Sequence, residues 1–407
     1  MTTLNATAAS VQLASSKTPS TFVAPPKALT MGARPGLVSA AGGLASLGQH
    51  VTQTTGANAK VLLVSDPALS PLGFAGKAVS SLESSGHQVV VFEDFTSDPK
   101  ESAVNAALAV ANTEGVDAVV GLGGGSALDL AKLVSGLALK SDDCAPYRLA
   151  AQPILRRKVA FIAVPTTSGT GAETTRTSII SQADGTKNWF WDEMLVPDLA
   201  LLDPELTVGL PAYWTLYTGL DALVHAVESR TNRYRFAEND AVAERAIALV
   251  AQNLERTLEQ PNDLEARGAM QLAAAYGGMA INNTGCAVAH NIGHAMGSLA
   301  GVPHGRAVSI ALVATLSWSI EGNQEAFAAV ARAMGLSSAS HIAPWMDRIA
   351  ERVGESLRLS EQEREWFDKS ALATAMMSDA NRSMLEALAR DAAPEDVDML
   401  AELAMAA

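Results

Sequence analysis

Between residues 59 and 208, short continuous apolar runs alternate with helical segments, and this alternation decides how the first half of the chain can fold. KVLLVSD (60–66), HQVVVFED (87–94), GVDAVVGLG (115–123) and KVAFIAVP (158–165) are unbroken apolar runs. Strands of a parallel sheet buried on both faces look like this, whereas half-exposed strands alternate. Between the runs, ESAVNAALAVANTE (101–114) and SALDLAKLVSGLAL (126–139) carry apolar residues at helical spacing. Strand, helix and strand in that order is βαβ architecture. After Leu210-Pro211 the texture changes: DALVHAVES, AVAERAIALVAQNLERTLE, GAMQLAAAYGGMAIN, GRAVSIALVATLSWSI and QEAFAAVARAMG are Ala-rich and helical in period, with no strand among them. The expected division is a flexible Ser/Thr/Ala-rich tail over 1–24, an α/β domain with a parallel sheet flanked by helices over 25–208, and an all-helical domain over 209–407.

Composition narrows the function classes. The net charge of −14, without a basic run, excludes nucleic acid as a partner, because a binder needs clustered Lys and Arg to displace counterions. No window reaches the roughly 18 to 20 apolar residues of a membrane helix, so no membrane partner is expected. The first two dozen residues lack a basic n-region and a continuous apolar core, which argues against a secretory signal. Cys144 and Cys286 are the only cysteines, far apart and without CxxC spacing, so neither a disulfide scaffold nor a thiolate zinc site is expected. A cytoplasmic location follows from that reading.

GLGGGSALDLAK (121–132) begins as a strand run ends and continues straight into a helix. Consecutive glycines there let backbone N–H groups approach an anion, and the helix N-terminus adds partial positive charge, which suits a pyrophosphate. The pattern is neither GxGxxG nor a Walker loop. A second polar loop, PTTSGTGAETT (165–175), follows the next strand run. Ligands of open parallel sheets sit beyond the carboxyl ends of the strands, so the two loops should converge on one ligand. Asp66 ends its strand on the same edge. Its carboxylate can accept from ribose hydroxyls and repel a 2′-phosphate, favouring NAD over NADP, or it can simply cap the turn that starts at Pro67.

TGLDALVHAVES places Asp221 and His225 four residues apart on one helix face. AVAHNIGHAMGSLAGVPHG gives His290 and His294 the same spacing and adds His304. The flanking residues are apolar and small, so these are buried polar groups in need of partners. Two such faces together with His304 can surround one divalent ion. A carboxylate and imidazoles without thiolate suit Fe(II) or Zn(II). Spacing alone leaves open whether His290 or His294 joins His304 on the metal.

GGGSALDLAK, PTTSGTGAETT, TGLDALVHAVES and AHNIGHAMGSLAGVPHG, in this order, resemble the four signature regions of the iron-dependent (group III) alcohol dehydrogenases. The resemblance runs from about residue 27 to the C-terminal helices. It implies a dinucleotide-binding α/β domain followed by an all-α metal-binding domain, the dehydroquinate synthase-like architecture, with the active site between them. It implies metal ligands Asp221, His225, His290 and His304, and leaves His294 near nicotinamide and substrate. Gly123, Gly124, Gly125 and Ser126 match the pyrophosphate loop, with Asp129 and Lys132 completing GGGSxxDxAK. Thr166, Thr167, Ser168 and Thr170 match the loop that touches the cofactor further along. Asp66 matches a position where an acidic residue accompanies NAD preference. One departure is KNWFWDEMLVP (187–197), where Trp189, Phe190 and Trp191 stand in a segment expected to be less aromatic. They either cap the substrate cleft or pack the junction between domains.

The implied activity is that of a metal- and NAD(H)-dependent alcohol dehydrogenase or aldehyde reductase. Hydride passes between nicotinamide C4 and a metal-bound small alcohol or aldehyde, and His294 relays the proton. Family members often self-associate, so a homo-oligomer, a dimer, is expected. The complete ligand set counts against the metal-free maleylacetate reductases and against a glycerol dehydrogenase-like or dehydroquinate synthase-like relative, which uses fewer histidines and zinc. A non-catalytic nucleotide-binding homologue would be expected to lack a ligand or a loop glycine, and none is missing.

Overall fold

The computed structural model describes residues 35–406, so the stretch read as a tail, 1–24, lies outside the described residues. Six strands form one parallel sheet: β1 (Gly36–Ser39), β2 (Lys60–Ser65), β3 (Gln88–Phe92), β4 (Ala118–Gly123), β5 (Ala160–Pro165) and β8 (Leu199–Leu202). Their order is β1-β8-β5-β4-β2-β3. β6 (Thr177–Ser181) and β7 (Lys187–Trp191) make a separate antiparallel hairpin. All four apolar runs singled out in the sequence are strands of the large sheet.

For β2, β4 and β5 the unbroken apolar character follows from their surroundings, whereas β3, at the edge of the sheet, leaves Gln88 and Val91 exposed, contrary to the expectation of burial on both faces. Leu62 and Val64 of β2 pack on one face of the sheet against α3 (Glu101–Glu114) and α4 (Gly125–Leu137). Val61 and Leu63 pack on the other against α1 (Leu47–Thr55) and α2 (Phe74–Ser84). With both faces covered, successive side chains of a strand are buried alternately on opposite sides and none needs to be polar. The chain runs from β2 outward to β3 and then crosses back to β4 on the other side of β2, which creates a topological switch between β2 and β4. Asp66 and the glycine loop flank this point, and the Asp66 amide donates to Leu122 O at 3.0 Å.

Beyond the last strand every regular element among the described residues is helical. α5 (Ala212–Arg230) packs against α6 (Ala237–Glu259), α7 (Leu264–Thr284) and α9 (His304–Gly322), with α8 (Val288–Ala300) beside α9. From Gly219 to Arg230 every residue of α5 is buried, as expected of a helix surrounded by others. None of the helices among the described residues is long and apolar enough to cross a membrane.

The loop after β5 joins sheet and helices. Thr174 Oγ1 donates to Ala275 O at 2.9 Å, and Gln271 Nε2 donates to Pro165 O and Asp203 O at 3.3 and 3.2 Å. Gly171 has φ +63°, and a Cβ there would stand 2.5 Å from Gly278 Cα on α7. The aromatic departure divides: one ring packs in the sheet's own core, one reaches the helical part and one lies at the surface. Phe190 is fully buried beneath α4, and Trp189 Nε1 donates to Ala380 O at 3.1 Å. Trp191 is half-exposed and lies 3.9 Å under the Arg176 guanidinium. Gly171→Ala combines a left-handed backbone with a backbone clash, together about 2 kcal/mol or more. Its apparent melting temperature should fall by at least about 2 °C, and a wild-type melt would contradict the tight seam.

Candidate metal centre and cofactor cradle

Three helices deliver the candidate ligands. α5 carries Asp221 and His225, α8 carries His290, and α9 starts on His304. Glycines allow the close approach: a Cβ at Gly305 would lie 2.4 Å from Tyr217 O, and one at Gly293 would lie 2.6 Å from Val308 Cγ1. The donor atoms of Asp221, His225, His290 and His304 all lie within 4.8 Å of one another. Asp221 Oδ1 is 3.7 Å from His225 Nδ1, 3.6 Å from His290 Nε2 and 3.5 Å from His304 Nε2. These separations are too long for hydrogen bonds. They match the edge of a coordination tetrahedron, about 3.4 Å for bonds of about 2.1 Å. Asp221 Oδ1, His225 Nδ1 and His290 Nε2 are each buried without a hydrogen-bond partner. Three orphaned polar atoms aimed at one point fit a divalent ion.

Burial works to raise the Asp221 carboxyl, but the imidazoles of His225, His304 and His290 outweigh it and hold it below the ordinary carboxylate range. Burial works to lower His225, and the Asp221 carboxylate reverses the direction. Burial takes His304 down to about 3 despite the pull of Asp221. Its side chain is nevertheless 31% exposed, against 2% for Asp221, so the centre opens past His304.

A second trio, Glu228, Cys286 and His290, also brings its donor atoms within 4.8 Å of one another. The same ruler gives a different answer there. Glu228 Oε2 accepts from His290 Nδ1 at 2.7 Å, a hydrogen bond rather than a tetrahedral edge. The same carboxylate accepts backbone N–H groups from Ala287 at 2.8 Å, Ala289 at 2.5 Å and His290 at 3.4 Å. Glu228 therefore caps α8 and fixes the tautomer of His290, so that Nε2 faces Asp221. Sequence reasoning missed it, although it lies seven residues after Asp221 and three after His225 on one helix face.

His294 stands outside the four. Its ring centroid is 5.3 Å from that of His304 and 6.0 Å from that of His290. Burial, then the neighbouring His304 and His290 and the ammonium of Lys187, push it well below the usual imidazole range, so the ring is neutral. Lys187, at the start of β7, is a further residue the sequence reading overlooked. Its Nζ lies 3.7 Å from Asp98 Oδ1. Asp98 adopts φ +59°, unusual for a non-glycine, and its amide donates to Ser126 Oγ at 3.2 Å.

The two loops lie against each other beside the switch point. A Cβ at Gly123 would be 2.7 Å from Ala127 Cβ and 3.0 Å from Asp66 Cβ; at Gly124 it would be 3.4 Å from Thr167 Cγ2, and at Gly125 2.8 Å from Thr170 Cγ2. Thr166 and Ser168 are buried in the same loop. This is a bare-backbone cradle at a helix N-terminus, the surface a pyrophosphate needs. Asp66 caps the turn Pro67–Leu72 through Ala68 N at 3.0 Å. Asp129 and Lys132 point elsewhere. Lys132 is wholly buried and Nζ donates to Thr175 Oγ1 at 3.0 Å and Thr177 O at 2.5 Å, while Asp129 Oδ2 accepts from Ile179 N at 3.0 Å. The pair ties α4 to β6 and offers nothing to a phosphate. Glu173, also unread in the sequence, is buried near Lys132, and burial pushes its carboxyl up to about 7.

Comparison with known proteins finds matching family models, relatives and solved structures. A family model described as iron-containing alcohol dehydrogenase matches residues 35–204, and one described as the C-terminal part of the Fe-containing alcohol dehydrogenase family matches residues 215–406. Long-chain-alcohol dehydrogenase 1 of Geobacillus thermodenitrificans is 33% identical over 299 residues, 73% of this chain and 75% of that one. The 1,3-propanediol dehydrogenase of Klebsiella pneumoniae is 34% identical over 282 residues, 68% of this chain and 72% of that one. Among solved structures, a 1,3-propanediol oxidoreductase superposes with TM-score 0.82 at 28% identity, covering 91% of this chain and 98% of that one.

The Glu228 clamp yields a direct test. Glu228→Gln sets an amide against amide donors and weakens the hold on His290. Affinity for Fe(II) or Co(II), measured by chelator competition, should fall by roughly 10- to 100-fold. Unchanged affinity would show that His290 does not depend on Glu228.

Proposed function

The chain belongs to the iron-containing alcohol dehydrogenase family, NAD-linked oxidoreductases of alcohols and aldehydes, and we propose how its residues divide that work. Asp221, His225, His290 and His304 hold the metal ion. Gly123, Gly124, Gly125 and Ser126 seat the pyrophosphate of the cofactor, and Thr166, Thr167, Ser168 and Thr170 its neighbouring parts. The single observation that carries the reading is one buried carboxylate oxygen facing three imidazole nitrogens at 3.5–3.7 Å. When bound, the ion supplies Lewis acidity to the substrate oxygen and NAD(H) supplies the hydride acceptor or donor.

The protein's own side chains do the rest. Asp221, charged and buried, fixes the centre among α5, α8 and α9. Glu228 keeps His290 oriented toward it. His294, a neutral imidazole beside His304, accepts the hydroxyl proton as an alcohol is oxidised and returns it as an aldehyde is reduced. The half-exposed face of His304 is the side from which substrate reaches the centre. Substrate is a small alcohol or its aldehyde; the relatives' names span a long-chain alcohol and a short diol, so the family alone does not set the chain length. The reading also includes Fe(II) ahead of Zn(II), the domain division near residue 208, self-association as a dimer and a cytoplasmic setting, the last supported by two free thiols.

Two experiments test these assignments. With Fe(II)-reconstituted protein and a panel of short aldehydes, His294→Ala should lower the rate of NADH oxidation about 100-fold or more while metal content stays at the wild-type level. Loss of the metal instead would move His294 into the ligand set, and wild-type protein without turnover on any aldehyde would sink the reading altogether. For the cofactor, Asp66→Ser should raise kcat/KM with NADPH relative to NADH by at least about tenfold. No change in that ratio would leave Asp66 with its capping role alone.

A further inference from the structure

The hairpin β6–β7 carries the aromatic departure, and the assignments above leave Trp189 without a role. Successive residues of a strand point to opposite faces, and residues directly opposite in an antiparallel pair point the same way. One face of the hairpin, with Ile180 and Phe190, is buried in the core that includes α4. The other presents Ser181 opposite Lys187, Ile179 opposite Trp189 and Thr177 opposite Trp191. The hairpin is fixed in place from α4, where Lys132 Nζ donates to Thr177 O and Asp129 Oδ2 accepts from Ile179 N.

That second face meets the helical domain at three points. Lys187 Nζ lies 3.8 Å from where a Cβ of Gly297 would stand, and His290, His294 and Gly297 follow one another along a single stripe of α8. Trp189 Nε1 donates to Ala380 O at 3.1 Å, on the helix Asp379–Glu386. Arg176, at the foot of β6, donates from its amide to Asn282 Oδ1 at 2.9 Å and from Nη2 to Asn282 O at 3.0 Å, on α7. The helix Asp379–Glu386 is in turn tied to α8 beside a metal ligand, because Asn291 Nδ2 donates to Met376 O and Asn381 O at 2.9 and 3.0 Å. At its polar end the face also reaches the cofactor cradle: Ser181 Oγ donates to Asp98 Oδ1 at 2.7 Å, and the Asp98 amide donates to Ser126 Oγ. Its middle is apolar. Ile179 and Trp189, both partly buried, stand one strand repeat beyond Lys187, about 6.6 Å along.

We propose that Trp189 is a specificity-determining residue: with Ile179 it walls the substrate side of the metal centre and limits the enzyme to short-chain aliphatic aldehydes and their alcohols. The centre opens past His304, whose ring neighbours His294. A substrate reacting beside His294 must extend along the α8 stripe toward Gly297, and the hairpin face lies opposite that stripe. A tryptophan fills the space that a smaller residue would leave to a longer chain. Its N–H bond to Ala380 O keeps the indole there, since swinging aside would forfeit the bond. The inference deepens the dehydrogenase reading and rests on it.

The test uses the full-length enzyme loaded with Fe(II), with NADH and two aldehydes, propanal and octanal. Wild type should give the higher kcat/KM with propanal. Trp189→Ala should raise the octanal-to-propanal ratio of kcat/KM by at least about tenfold, with metal content at the wild-type level. Trp189→Phe keeps a ring and loses the N–H donor, and its ratio should stay within about threefold of wild type. If Trp189→Ala does not fold, Trp189→Leu gives the same readout. A ratio unmoved by Ala, or moved as far by Phe as by Ala, would show that Trp189 only ties the hairpin to the helices. A wild type that already prefers octanal would overturn the inference as well. Wild-type protein with no turnover on either aldehyde or on the wider panel takes away the dehydrogenase reading and this inference with it. Turnover with an unmoved ratio removes the role of Trp189 alone.

Discussion

A carboxylate buried at the centre of a helical domain is the constraint on which the rest of this structure depends. An isolated charge there would cost several kcal/mol, and proteins tolerate one only when it is matched by cations or donors. Asp221 is matched by three imidazole edges that arrive from three helices. That requirement explains why α5 is buried on all sides from Gly219 onward and why α8 and α9 begin where they do. It also explains the bare glycines at 293 and 305, because any side chain there would hold the helices apart. The arrangement is a charge problem solved by backbone placement.

Much of this was legible in the sequence, for identifiable reasons. The apolar runs of β2, β4 and β5 announced a sheet covered on both faces because those strands had to be apolar throughout, and the glycine-rich turn announced a cradle because only glycine leaves the amides bare. The edge strand β1 and the four-residue β8 escaped notice, being too short to show any period. The hairpin β6–β7 was hidden by its aromatic residues, which drew attention to packing and away from Lys187 on the same strand. Spacing set Asp221 with His225, but it could not choose between His290 and His294. That distinction depends on the approach of α9, which no local pattern encodes. Asp129 and Lys132 fit a motif, yet the fold turns both inward to bind α4 to β6.

The residues missed altogether share one property: each acts on another residue rather than on a ligand. Glu228 meets His290 sixty-two residues away, and Lys187 meets Asp98 across a longer span still. Sequence patterns find groups that must be near one another along a helix or turn. Groups that hold those in place come from wherever the chain happens to return. The first layer of such a site is therefore visible in spacing, and the second only in coordinates.

The contact of Gly171 with Gly278 has a consequence for how proteins of this architecture can be recombined. Backbone meets backbone there with no side chain to cushion the join, so the two halves carry matched blanks, one in each. A chimaera that took its sheet from this chain and its helices from a relative would need an equally bare position on the incoming helix, however well the metal ligands agreed. Modularity at this boundary is limited by one missing methyl group on each side.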